Sequence, residues 1–310
     1  MASMPLRPPP ALRTDLSPAE ESIARSVLYA ALFHYPLTLA QLRQTLIGSR
    51  QTPSEIVAMV RDSASLREFI NHRDGFFFPA GRADLVDIRR HRETRSRAFL
   101  AEHRPLLRII AALPYVRMVA LSGSIAHLNL ENGGDLDIFI VTSGPRVWST
   151  AVTTVVLAKL LGRRKTLCAN FIVADTRLTF EPQDLFTASQ LINLKPLTGE
   201  ATFRRIVAAN PFVREFYPNF HPASCTTFCM RQPLTVRALK AAAELALGAP
   251  SAIFEWFCRG AYRRYLQRRA WTWESPDQVR LEDDVLKLHT RSHRLSVLQR
   301  FNQAVHRTID

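Results

Sequence analysis

The chain has 310 residues, 47% of them hydrophobic and 22% charged. This length and composition are typical of a globular protein with two or three domains. Its net charge of +14 is spread along the sequence, which excludes a neutral domain with one basic tail and favours anionic partners. The four cysteines are too few for a disulfide scaffold, and we expect no signal peptide, so a cytoplasmic location is predicted.

The N-terminal quarter predicts a short lead and then a small helical unit. Residues 1–20 are proline-rich without an apolar run and predict a disordered lead. A first helix is expected over 21–34, and the capping-box sequences that start at Thr38 and Thr52 predict two more. The Asp74-Gly75 turn between residues 66–70 and 76–78 predicts a β-hairpin. Residues 21–82 therefore resemble a winged helix-turn-helix, an architecture of nucleic-acid-binding proteins.

The centre of the chain predicts a mixed sheet with flanking helices, so the overall class is expected to be α+β. We assign residues 83–195 to this central domain. The predicted elements are a long helix over 83–112, strands over 116–121 and 135–142, a helix over 147–161 and a strand over 166–173.

The remainder, residues 196–310, predicts a mostly helical region that includes a basic amphipathic helix over 283–306. That helix carries Lys287, His289 and His293, and it is either a surface helix packed on the central domain or one that contacts an acceptor or a nucleotide phosphate. The longest apolar stretches, near 151–161 and 238–254, are short or broken by glycine and proline. They suit buried helices better than membrane spans, so no membrane partner is expected.

The most informative segment combines a Gly-Ser turn with an acidic pair. Gly123 and Ser124 follow the strand over 116–121, and ten residues separate Ser124 from Asp135. Asp135 and Asp137 are two apart on a strand, so their side chains project to the same side. Two adjacent carboxylates repel each other unless a cation lies between them, and Mg²⁺ is commonly held by such a pair together with substrate phosphates. Glycine permits close approach to a phosphate, and the serine hydroxyl can donate to it.

The Gly-Ser turn, the spacer and the Asp-x-Asp pair together resemble the signature of the DNA polymerase β-like nucleotidyltransferase superfamily. The resemblance covers roughly residues 115–175. The superfamily includes kanamycin nucleotidyltransferase and the minimal nucleotidyltransferases. It implies transfer of a nucleoside monophosphate from an NTP to a hydroxyl or similar acceptor, with Mg²⁺ or Mn²⁺ as cofactor. By this resemblance Gly123 and Ser124 hold the triphosphate, and Asp135 and Asp137 are the catalytic metal ligands.

One departure from the superfamily pattern concerns the third carboxylate that many members carry on the next strand. The strand over 166–173 has no acid. Asn170 could ligate a metal weakly or orient a water, or it could be a buried amide, and Asp175 lies just past the strand end. The chain is therefore either an active enzyme or a nucleic-acid-binding or regulatory protein whose nucleotide-sensing domain is catalytically degenerate. A third alternative is a partner-binding scaffold.

The sequence leaves the acceptor, the choice of NTP and the oligomeric state open. Nucleic-acid binding is expected to be weak, because residues 53–62 hold one basic side chain, Arg61. His221, Cys225 and Cys229 are spaced four apart, but Pro222 interrupts them and no fourth ligand is evident. We therefore expect no structural zinc site.

Overall fold

The computed structural model describes residues 16–222 and 228–307, without the side chains of residues 306 and 307. Its first helix begins inside the segment for which a disordered lead was predicted, because Ser17 and Glu20 form a capping box. Residues 1–15 lie outside the described part. The capping boxes predicted at Thr38 and Thr52 are confirmed. The elements of this region are α1 (Pro18–Ala31), β1 (Leu37–Thr38), α2 (Leu39–Gln44), α3 (Pro53–Asp62), α4 (Ala64–Phe69), β2 (Ile70–Arg73) and β3 (Phe76–Pro79).

The predicted hairpin is confirmed, but its first arm lies four residues later than expected. Residues 66–69 belong to α4, since the Ser63 hydroxyl accepts from the Leu66 amide and caps that helix. Strands β2 and β3 pair antiparallel across the Asp74-Gly75 turn, and β1 pairs with the other edge of β3.

The centre of the molecule is a mixed six-stranded sheet, and the α+β class is confirmed. Strands β4 and β5 pair antiparallel, and β5 runs parallel to β6 through a helical crossover. Each predicted central element is present within two residues of its expected bounds. They are α5 (Asp84–Ala112), β4 (Val116–Leu121), β5 (Leu136–Thr142), α7 (Val147–Leu160) and β6 (Leu167–Ala174), and a short helix α6 (Gly123–Ala126) follows β4.

The last third of the chain is mostly helical, as predicted, but the helix expected over 283–306 is only half present, because the observed helix begins at Arg294 and a strand precedes it. Three of its strands extend the central sheet to the order β7-β4-β5-β6-β9-β8. Pro196 fits an edge strand because proline lacks the amide that a second neighbour would need. Lys287 lies on β9 and not on a helix. The elements are α8 (Leu185–Asn193), β7 (Lys195–Thr198), α9 (Glu200–Ala209), α10 (Phe212–Phe216), α11 (Leu234–Ala246), α12 (Gly248–Gln267), β8 (Val279–Leu281), β9 (Val285–Leu288) and α13 (Arg294–Arg307).

The two faces of the sheet are covered by different helices. Alternation along β5 sends Leu136, Ile138 and Ile140 toward α5, α7 and α12. The opposite face, which carries Phe139 and Val141, packs against α8–α10, α13 and the N-terminal helices in one continuous core. The N-terminal region therefore shares its core with the sheet, and it forms one wall of the space above that face.

Helices α11 and α12 depart from the expectation that the apolar stretch near 238–254 is buried. No residue of α11 is buried, and Leu245, Ile253 and Trp256 are among the exposed large apolar side chains. Within residues 16–222 and 228–307, no helix is long and apolar enough to cross a membrane.

Candidate active site

Gly123 and Asp137 meet where β4 ends and α6 begins. Gly123 has φ +60°, and a Cβ at this position would clash with Oδ2 of Asp137 and lie 3.1 Å from its Cγ. The carbonyl of Asp137 accepts from the Ser122 amide at 3.0 Å, which holds the strand against the turn. Glycine is therefore favoured at this position for two reasons: it adopts the positive φ without strain, and it leaves room for the Asp137 carboxylate.

Asp135 precedes β5 and lies next to Asp137, as the sequence spacing predicted. Its Oδ2 accepts a hydrogen bond from the Cys168 thiol at 3.4 Å. Cys168 lies near the beginning of the neighbouring strand β6. Burial, followed by the charge of Asp135, raises the pKa of Asp137 to about 7. The Asp137 carboxylate is thus partly removed from water and is also repelled by the Asp135 carboxylate.

Two residues were considered as replacements for a third carboxylate, and the structure separates them. Asn170 lies beside Cys168 on β6 and faces the same space as Asp137. Asp175 lies past the other end of β6, where its Oδ1 accepts from the Gly144 amide at 2.9 Å. Because β5 and β6 run parallel, Asp137 lies near the beginning of these two strands and Asp175 lies beyond their opposite end. It caps a turn and takes no part in this site.

Asp137, Gly123, Ser124 and Asn170 line one cleft of about 1510 Å³. The cleft lies above the Phe139 face of the sheet. Its other walls come from the N-terminal region and from α8, which contribute Tyr35, Gln41 and Phe186, among others. A space of this size accommodates a nucleotide and a second molecule together.

The floor of the cleft changes from acidic to aromatic to basic along the sheet. Phe139, Phe171 and Phe180 form a cluster of edge-to-face rings beside the acidic pair. On β9, the Lys287 ammonium lies 5.6 Å from the centre of the Phe171 ring, and His289 contacts the same ring. Burial lowers the pKa of Lys287, and burial with the Lys287 charge lowers that of His289 to about 4. Lys287 and His289 thus line the cleft although the helix predicted for them is absent.

The Asp137 carboxylate has no hydrogen-bond donor or cationic side chain as a partner within the described part of the chain. A half-buried carboxylate with a raised pKa and a second carboxylate beside it suits a divalent cation. No group of three or more His, Cys, Asp or Glu residues with metal-binding geometry occurs among residues 16–222 and 228–307. The donor set therefore fits a cation held by two carboxylates with the rest of its ligands from substrate and water. Cys225 of the candidate zinc group lies outside the described residues.

Sequence reasoning missed Cys168 as a residue of this site. Burial, followed by the charges of Asp135 and Asp137, raises the pKa of its thiol to about 12, so the thiol stays protonated and donates to Asp135. The only sequence signal was its position two residues before Asn170 on the same strand. The register that sets Cys168 opposite Asp137 depends on the crossover through α7.

No protein-family model, curated protein or solved structure matches the chain.

Proposed function

We propose that the chain is a metal-dependent nucleotidyltransferase that moves a nucleoside monophosphate from an NTP to a hydroxyl or similar acceptor. The observation that carries this proposal is the contact of Gly123 with Asp137, which sets the turn after β4 directly against a half-buried carboxylate. The central domain is proposed to belong to the nucleotidyltransferase class, and the N-terminal region to be winged-helix-like.

The chain's own residues have distinct tasks in this proposal. Gly123 lets the triphosphate approach the backbone, and the Ser124 hydroxyl donates to it. Asp135 and Asp137 would hold Mg²⁺ or Mn²⁺, and the ion would supply charge neutralisation at the transferred phosphate. A bond forms between the acceptor oxygen and the α-phosphorus while the bond to the leaving pyrophosphate oxygen breaks. Cys168 orients Asp135 through its thiol proton.

The absence of a carboxylate on β6 in this region supports a second candidate function. Cys168 and Asn170 lie on β6 beside the acidic pair, and neither is a base at neutral pH. In an active enzyme the acceptor proton therefore leaves to water or to the substrate. In the alternative, the same site binds Mg²⁺ and NTP without turnover and acts as a nucleotide sensor in a nucleic-acid-binding or regulatory protein.

The test is incubation of the purified chain with each α-labelled NTP and Mg²⁺ or Mn²⁺, followed by measurement of pyrophosphate and labelled product. Asp137→Asn is expected to lower turnover at least tenfold, about 1.4 kcal/mol of transition-state stabilisation. Asp175→Asn, at the other end of the sheet, is the matched control and should leave turnover unchanged. Nucleotide-dependent thermal stabilisation without turnover would favour the sensor.

A further inference from the structure

Helix α11 has its polar side toward the protein and its apolar side toward solvent. The Lys240 ammonium donates to the carbonyl of Ala111 at 3.1 Å and to that of Val116. The Glu244 carboxylate accepts from Arg117 and from the Tyr115 amide, each at 2.7 Å. The helix is thus anchored through polar contacts, whereas Leu245 on its outer side is 86% exposed. A helix that packs only on its own protein has the reverse arrangement.

Helix α12 repeats this arrangement. Its inner side places Glu255 against the start of α7, where the carboxylate accepts from the Trp148 and Ser149 amides at 2.8 Å each. Its outer side exposes Ile253 to 70% and Trp256 to 67%. Such a concentration of large apolar side chains on adjoining helices marks an interaction surface. We call this the α11–α12 surface; its exposed large apolar residues are Leu234, Leu239, Leu245, Leu247, Ile253, Phe254, Trp256 and Phe257.

Arginines continue the outer side of α12 beyond its apolar part. Ile253, Phe257, Arg264 and Arg268 are spaced by four, seven and four residues, so they lie along one side of the helix. Both arginines are exposed. The acidic residues of α11 and α12 are Glu244 and Glu255, and both face the protein. The outer side is therefore apolar at one end and purely basic at the other.

We propose that the α11–α12 surface binds an anionic lipid bilayer, lying in the interface without crossing it, which departs from the sequence-based expectation of no membrane partner. Isoleucine, tryptophan and phenylalanine on one side of α12, followed by arginines without acids, have the chemistry of an interfacial helix on anionic lipid. The net charge of +14 adds long-range attraction to such a surface. A second copy of the chain is a poorer occupant, because it carries the same net charge of +14 and would be repelled at long range.

The position of this surface is compatible with catalysis in the cleft. Helix α12 packs on α7, which covers the Ile138 face of the sheet, whereas Asp137 and the cleft lie on the Phe139 face. Docking through α12 therefore leaves the cleft open to water. This inference is independent of the chemistry proposed for the acidic pair.

The test is flotation of the full chain with vesicles of phosphatidylcholine alone or mixed with phosphatidylglycerol. We expect binding to the anionic vesicles, which Trp256→Ser with Phe257→Ser lowers at least about tenfold. The double variant Arg264→Gln with Arg268→Gln removes two positive charges and should lower binding by about fivefold per charge. The matched control is Arg204→Gln with Arg214→Gln, which removes the same charge from exposed sites on α9 and α10.

Each outcome decides the proposal once circular dichroism and melting temperature show that the variants are folded. Binding that requires phosphatidylglycerol, and that falls in both α12 variants but not in the control, supports it. No flotation of the wild type, or equal loss in the control, overturns it. A dimer detected by light scattering and abolished by Trp256→Ser, without vesicle binding, assigns the surface to a second copy and also overturns it.

Discussion

At the scale of single residues, Gly123 determines how closely Asp137 approaches the turn after β4. Gly123→Ala introduces strain of about 1 kcal/mol from its positive φ, and its methyl group also displaces the Asp137 carboxylate. Gly133→Ala is the matched control, because Gly133 has φ +74° with nothing within 4 Å of an added Cβ. Urea unfolding should show a larger loss of stability for Gly123→Ala. Equal losses would mean that the carboxylate is not held against the turn.

Asp137 also makes a specific prediction about pH. Its pKa is about 7 in the folded protein against 3.8 ordinarily, so the folded state holds this proton more tightly than the unfolded chain. The resulting stabilisation is fully present below about pH 4 and is lost as pH rises through about 7. In metal-free buffer, the melting temperature of Asp137→Asn relative to wild type should therefore rise over this range.

The acidic pair was predictable at this scale because it depends only on residue spacing along one strand. Asp135 and Asp137 are two residues apart, which places them together whatever the rest of the fold. The position of Cys168 depends on the parallel register of β5 with β6, which no local pattern encodes. The same register excludes Asp175, which follows the far end of β6.

At the scale of elements, Glu255 joins α12 to the start of α7. Glu255→Ala leaves two buried amides and the Ser149 hydroxyl without their acceptor, which should cost about 2–4 kcal/mol of stability. Glu255→Gln keeps one side-chain oxygen and should cost less. Chemical denaturation of both variants measures the difference. A loss below about 0.5 kcal/mol for Glu255→Ala would show that this junction does not hold the helix.

The elements that sequence patterns predicted correctly are those determined within a few residues. The capping boxes at Thr38 and Thr52 each satisfy an amide three residues away, and both helices begin as expected. Strand β9 pairs with β8 only a few residues earlier, but it joins the central sheet through β6, which lies more than a hundred residues earlier in the chain and is encoded by no local pattern. The inward polar side of α11 was missed for a similar reason, since Lys240 and Glu244 find their partners on α5 and β4.

At the scale of the whole molecule, the N-terminal region and the sheet share one hydrophobic core. Helix α3 has one basic side chain, Arg61, with which to contact DNA bases. Its Arg61 is paired with Asp62 at 2.7 Å. We expect the full chain to bind duplex DNA weakly, without sequence preference and with steep salt dependence, as general positive charge dictates. Fluorescence anisotropy with unrelated duplexes at two salt concentrations measures this. A tight, sequence-selective complex at physiological salt would instead support the regulatory function.

The measurement that tests the central claim most directly is pyrophosphate release from each NTP with Mg²⁺ or Mn²⁺, for the wild type and for Asp137→Asn. Because the acceptor is unidentified, the assay is run with a panel of hydroxyl-bearing small molecules, RNA ends and proteins, and thermal unfolding with each metal–nucleotide pair accompanies it. The account predicts turnover and nucleotide-dependent stabilisation in the wild type, and a fall of at least about tenfold in turnover or in Mg²⁺·NTP affinity for Asp137→Asn. A wild type that gains no stability from any metal–nucleotide pair, and that behaves identically to Asp137→Asn, would contradict it.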